Sequence, residues 1–151
     1  LSLGLTRAFP KAGVSVGLEG YNKRMERLID FRQGASFLSV LEADWQQLVA
    51  RDGVGRSHGL EAWVRKSSGR LTGWVSYTLS WNQRRFAEIN EGRWFWANFD
   101  RRHNAAVTGA YRLSERWRLA ATWAYSSGQP VTVPTGVYRD PDGLERFIYR
   151  E

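Results

Sequence analysis

At 151 residues, with 42% hydrophobic and 14% aromatic content, the chain has single-domain length and enough apolar side chains for a core, if its elements share one. It contains no cysteine, which excludes disulfide scaffolds, thiolate zinc sites and thiol catalysis together. A formal charge of +7 and a pI near 10.2 suit phosphate binding, but the 22 basic residues are spread over turns, strand ends and loops rather than marking one element, and nucleic acid is not the expected partner.

No apolar stretch approaches the roughly 18 residues of a transmembrane helix. A mean hydropathy of -0.49 is still compatible with membrane strands, in which only every second residue need be apolar. Eight Trp, six Tyr and seven Phe suit the aromatic belts of two membrane interfaces; an aromatic-rich soluble β-sandwich is the plainer alternative. The chain starts at Leu1 with no initiator Met, charged n-region or apolar h-region, so the expectation is that either an export signal has been removed or the chain is an internal fragment.

In chain order, Leu1, Leu3 and Leu5 alternate with Ser2, Gly4 and Thr6, and Val14, Val16 and Leu18 with Ser15, Gly17 and Glu19. A third strand pairs Leu60, Ala62 and Val64 against Gly59, Glu61, Trp63 and Arg65. The clearest strand follows, with Leu71, Gly73, Val75, Tyr77, Leu79 and Trp81 opposed by Thr72, Trp74, Ser76, Thr78 and Ser80. A fifth sets Ala105, Val107, Gly109 and Tyr111 against Asn104, Ala106, Thr108 and Ala110. The sixth sets Trp117, Leu119, Ala121, Trp123 and Tyr125 against Arg118, Ala120, Thr122, Ala124 and Ser126.

Connections alternate in length. Phe9 to Gly13, Ser67 to Arg70 and Leu113 to Arg116 are tight-turn lengths, and Gly69 supplies a residue for positive φ. Long segments lie between them: Met25 to Arg56, Asn82 to Arg102, and everything after Gly128, which carries no returning strand. Outer-membrane barrels have short periplasmic turns and long outward loops, so this order predicts an all-β antiparallel transmembrane barrel wall with its first strand running towards the periplasm. Leu71, Val75, Tyr77, Leu79, Trp81, Tyr111, Trp117, Leu119, Trp123 and Tyr125 form its lipid-facing and girdle positions. Six strands fall short of the roughly eight that close the smallest barrels, so they are part of a larger wall or of an oligomer.

Gly59-Leu60-Glu61-Ala62-Trp63-Val64-Arg65-Lys66, the run from Gly69 to Ser80, Asn98-Phe99-Asp100-Arg101-Arg102-His103, Tyr111-Arg112-Leu113-Ser114 and the run from Tyr125 to Pro134 resemble, in order and spacing, the late barrel strands of TonB-dependent outer-membrane receptors. The resemblance implies a barrel of roughly 22 strands plugged by an amino-terminal domain. It further implies uptake of a nutrient such as a siderophore, saccharide or peptide, energised by the TonB complex. Plug and TonB box are not among these 151 residues, which would then be part of the barrel domain in the bacterial outer membrane. A passive or adhesive outer-membrane barrel and a soluble basic β-domain that binds nucleic acid are the alternatives.

Trp94, Phe95, Trp96 and Phe99 cluster after the fourth strand, where flat rings can stack on a ligand or pack the loop against itself; packing is favoured. Glu61, Arg65, Asp100 and Arg102 fall on the inner face by alternation, where buried charges need partners, and contacts within the wall or to a plug are expected before solute contacts. His58 and His103 lie in no metal-ligand spacing, and Asp140, Asp142, Gly143 and Glu145 lack the full ligand series of a calcium loop. No nucleophile or phosphate-cradling motif is present, so no cofactor and no enzymatic activity are expected.

Overall fold

The computed structural model describes residues 1–32, 48–131, 134–139 and 145–149. They form nine strands: β1 (Ser2–Phe9), β2 (Val14–Phe31), β3 (Val49–Lys66), β4 (Leu71–Arg85), β5 (Phe95–Trp96), β6 (His103–Arg112), β7 (Arg118–Ser126), β8 (Pro134–Arg139) and β9 (Glu145–Tyr149). Seven build one open sheet in the order β1-β2-β3-β4-β6-β7, with β5 added to β4, and β8 and β9 pair separately. The chain divides into two units, one of residues 1–23, 57–82 and 99–129, the other of residues 24–56, 83–98 and 130–151.

All six expected strands are present, and the three short connections are turns. The first is a single 3-10 turn, Pro10–Ala12, whose leading Pro has no N–H to leave unpaired. Gly69, in the second, has φ 95°, as a tight hairpin turn demands. In the third, the Ser114 Oγ accepts from the N–H groups of Arg116 and Trp117 at 3.3 and 3.2 Å.

The long connections differ from expectation. Strands β2 and β3 have 18 residues each and run well into the long segment from Met25 to Arg56, where the alternation predicts no strand. Arg27 and Asp52, with φ 55° and 57°, interrupt them. A left-handed residue inside a strand shifts the side-chain alternation by one, so period two disappears from the sequence while the ladder continues. The segment after Gly128 also carries a hairpin, β8–β9, with Val137 opposite Phe147. Asp140, Asp142 and Gly143 lie outside the described residues, as do the side-chain surroundings of Glu145.

The second unit holds the buried apolar residues: Ala50, Phe86 and Ile89 cluster, with Leu28 and Phe95 against them, and Ala97 is buried as well. Phe86 lies where a side chain on Gly53 would be, so glycine is required for β3 to pass beneath the ring. The Arg84–Asp30 ion pair, 2.9 Å, is three-quarters or more buried at both ends. In the first unit, by contrast, the described buried residues are Gly17, Ser57, Ser80 and Asp100, and no apolar side chain is among them.

Candidate functional site

Register fixes the two faces of the first unit. Leu71 pairs with Tyr111 and Tyr111 with Leu119; Val75 pairs with Val107 and Val107 with Trp123; Tyr77 pairs with Ala105 and Ala105 with Tyr125. Cross-strand partners project to the same side, so these residues form one apolar face over β4, β6 and β7. Leu5 and Leu18 pair in the same way on β1 and β2, and with Ala62, Val64, Val75 and Tyr77 they line a shallow apolar depression of about 380 Å³. The face therefore extends from β1 to β7.

It is uncovered. Leu3 and Leu5 are 83% and 75% exposed, and Leu119 and Trp123 are 62% and 57% exposed. The opposite face is made of small and hydroxylated residues: Thr72 with Ala110 and Ala120, Ser76 with Ala106 and Ala124, and Thr78 with Asn104 and Ser126. The hydroxyls of Thr108 and Thr122 meet there at 3.2 Å. Trp63 and Trp74 stand among them, Trp63 lying against Gly17.

At the end of the face nearest β4's continuation, aromatic and polar groups meet. The Tyr77 hydroxyl lies 2.7 Å from His103 Nδ1. The His58 and Trp81 rings stack at 5.2 Å with 12° between their planes. Rings with one apolar and one polar end suit a border between lipid and water. Trp117 stands at the other end, 72% exposed, in the turn before β7.

Asp100 and Arg102 come together. Asp100 is 4% exposed and accepts from the Asn82 backbone N–H at 2.7 Å, the Asn82 side-chain amide at 3.2 Å and Arg102 Nη2 at 3.3 Å. The Ser57 hydroxyl extends the network, donating to Asn82 Oδ1 at 2.6 Å. Strand alternation does not govern Arg102, because β6 begins at His103; its guanidinium lies 4.8 Å from the Trp81 ring centroid. Glu61 and Arg65 remain exposed on the hydroxylated side, on either side of Trp63.

The aromatic cluster after β4 separates into different roles. Phe95 packs on Phe86, ring centroids 6.2 Å apart, and β5 pairs with β4 through Arg84 and Gln83. Trp94 takes the guanidinium groups of Arg56 and Arg85 at 4.4 and 5.3 Å from its ring centroid. Periodicity gives no hint of this contact, since it joins β3, β4 and a loop. Trp96 and Phe99 are 41% and 50% exposed. Among the described residues no group of His, Asp or Glu is placed to hold a metal ion.

No protein-family model, no curated protein and no solved structure matches the chain.

Proposed function

We propose that the chain is a wall segment of an outer-membrane β-barrel, in which the apolar face of the first unit meets lipid and the hydroxylated face looks inward. One observation carries this: in the first unit the sheet displays a continuous apolar face from β1 to β7, yet this unit buries none of its apolar side chains among the described residues. A soluble sheet must cover such a face with a second layer. Lipid covers it without one. Among the described residues no helix is long and apolar enough to cross a membrane, and strands would do the crossing.

Within that class we favour a TonB-dependent receptor that imports a nutrient ligand, on the strength of the sequence resemblance. Bilayer lipid, the receptor's own plug and the TonB complex are then the partners.

The absence of native cysteine makes the membrane claim directly testable. Single cysteines placed from Asn104 to Tyr111 carry an environment-sensitive fluorophore in vesicles containing a quencher on the lipid chains. Quenching is expected to alternate, strong at Val107 and Gly109 and weak at Ala106 and Thr108. Uniform quenching, or none along the whole strand, defeats the proposal. Import is tested in the receptor containing this wall: uptake should cease when the TonB complex is removed, and persistence would favour a passive barrel.

A further inference from the structure

The three short turns are drawn into one rim of the first unit. The Ser67 N–H donates to the Gly13 carbonyl at 2.8 Å and Lys66 Nζ to the Ala12 carbonyl at 2.9 Å, joining the first turn to the second. The Arg112 N–H donates to the Arg70 carbonyl at 2.9 Å and Arg70 Nη2 to the Leu113 carbonyl at 3.0 Å, joining the second to the third.

Charge is concentrated at this rim. Arg7 and Lys11 flank the first turn. Arg65, Lys66 and Arg70 flank the second, and Arg112, Arg116 and Arg118 the third, where Glu115 is the one acid. Eight of the 22 basic residues and one of the 15 acidic ones are therefore here, which leaves 14 of each elsewhere. The whole net charge of +7 resides at the rim.

No described carboxylate neutralises that charge. None of the eight cations is in an ion pair among the described residues. Arg112 and Arg118 are direct cross-strand partners on the side of Ala110 and Ala120, and like charges placed so repel. The rim is also continuous with the apolar face. Arg7 lies 5.1 Å from the Phe9 ring centroid and Arg70 lies 5.9 Å from that of Tyr111.

We propose that the short-turn rim binds the phosphate groups of anionic phospholipids in the leaflet that the turns face. A surface that changes from apolar to cationic within one or two residues matches the change from acyl chain to headgroup in a lipid leaflet. Nucleic acid supplies the negative charge but no acyl chain to cover Phe9, Tyr111 and Leu113, whereas a phospholipid supplies both. The proposal rests on the apolar face meeting lipid.

The full chain is folded with vesicles of phosphatidylcholine, or of phosphatidylcholine with about 30% phosphatidylglycerol, and its partition is measured by flotation at low salt. Partition should be at least about tenfold stronger with the anionic lipid, and the preference should shrink towards unity near 0.5 M salt, where screening is roughly complete within a few ångströms. A variant with Arg7→Gln, Lys11→Gln, Arg70→Gln and Arg116→Gln, all exposed positions, should lose the preference while still partitioning into both lipids. A control with Arg24→Gln, Arg27→Gln, Arg85→Gln and Arg93→Gln removes as much charge from the second unit and should keep it. Equal partition of the native chain into both vesicles, or an undiminished preference in the rim variant, overturns the headgroup proposal and leaves the membrane assignment standing. Failure to enter either vesicle overturns both, and salt-sensitive binding of an oligonucleotide in that case would identify the rim as a nucleic-acid surface.

Discussion

The Asp100 carboxylate takes three hydrogen bonds. Almost wholly buried, it accepts from the backbone and side-chain N–H groups of Asn82 and from Arg102. Replacing it by Ala leaves the Asn82 N–H without its acceptor and deprives Arg102 of its carboxylate. Buried donors left in this way typically cost about 1 to 3 kcal/mol each, more where a charge loses its partner. Asp100→Ala is therefore expected to destabilise the folded chain by about 3 kcal/mol in urea unfolding followed in detergent micelles. Asp100→Asn, which keeps one acceptor for the Asn82 N–H, should cost roughly half of that. A loss below about 0.5 kcal/mol in both would show that water already satisfies these groups. The pairing of Asp100 with Arg102 was foreseeable because two charges expected to be buried close together in sequence need each other. The central role of Asn82 was not, since an amide in a presumed loop carries no such signal.

At the scale of elements, the sequence is most readable where one face differs from the other. From Leu71 to Tyr77 and from Ala105 to Tyr125, apolar and hydroxylated residues alternate, and the ladder found there is the one the alternation demands. Where β2 and β3 continue past Lys23 and before Ser57, that contrast vanishes. Arg27 and Asp52 shift the phase, and Gly53 and Gly55 contribute no side chain. The stability of this region instead depends on Phe86 seated over Gly53, a contact set by the meeting of β3 and β4 and invisible to any local period. Phe86→Ala should destabilise the second unit by about 3 to 4 kcal/mol, as buried aromatic truncations do. Limited trypsin digestion is the suitable probe, since Arg85 and Arg93 flank the ring and are exposed. Cleavage there should accelerate markedly, with the sites at Arg112 and Arg116 as the internal reference. Equal rates in variant and native chain would show that the cluster does not hold this region. Gly53→Val should act in the same direction, because its side chain would occupy the space of the ring.

For the molecule as a whole, the decisive question is what covers the apolar face, and charge placed on it asks that question directly. Val107 and Ala106 are neighbours on β6 whose side chains point to opposite sides: Val107 pairs with Val75 and Trp123, Ala106 with Ser76 and Ala124. An Arg at a lipid-facing site near mid-bilayer costs about 2 to 4 kcal/mol, while an inward-facing one meets water or polar wall and costs far less. Val107→Arg is therefore expected to lower insertion into vesicles by roughly 30-fold or more, by the tenfold-per-1.4 kcal/mol relation, and Ala106→Arg to leave it within a few-fold of the native chain. The same pair separates the other possible coverings. A second copy of the chain packed face to face would also reject Val107→Arg, but in detergent-free solution and with a loss of dimer in sedimentation, whereas lipid coverage predicts no soluble dimer to lose. Both substitutions tolerated in vesicles would mean that neither face meets hydrocarbon. The rim then supplies the orientation: with the net charge of +7 at the short turns, the apolar face ends in cations at one border and in the His58–Trp81 and Tyr77–His103 pairs at the other. If the apolar face meets lipid as proposed, its two ends differ, so vesicles carrying anionic lipid in one leaflet alone should take up the chain with a single orientation, read by protease access to Lys11 and Arg116.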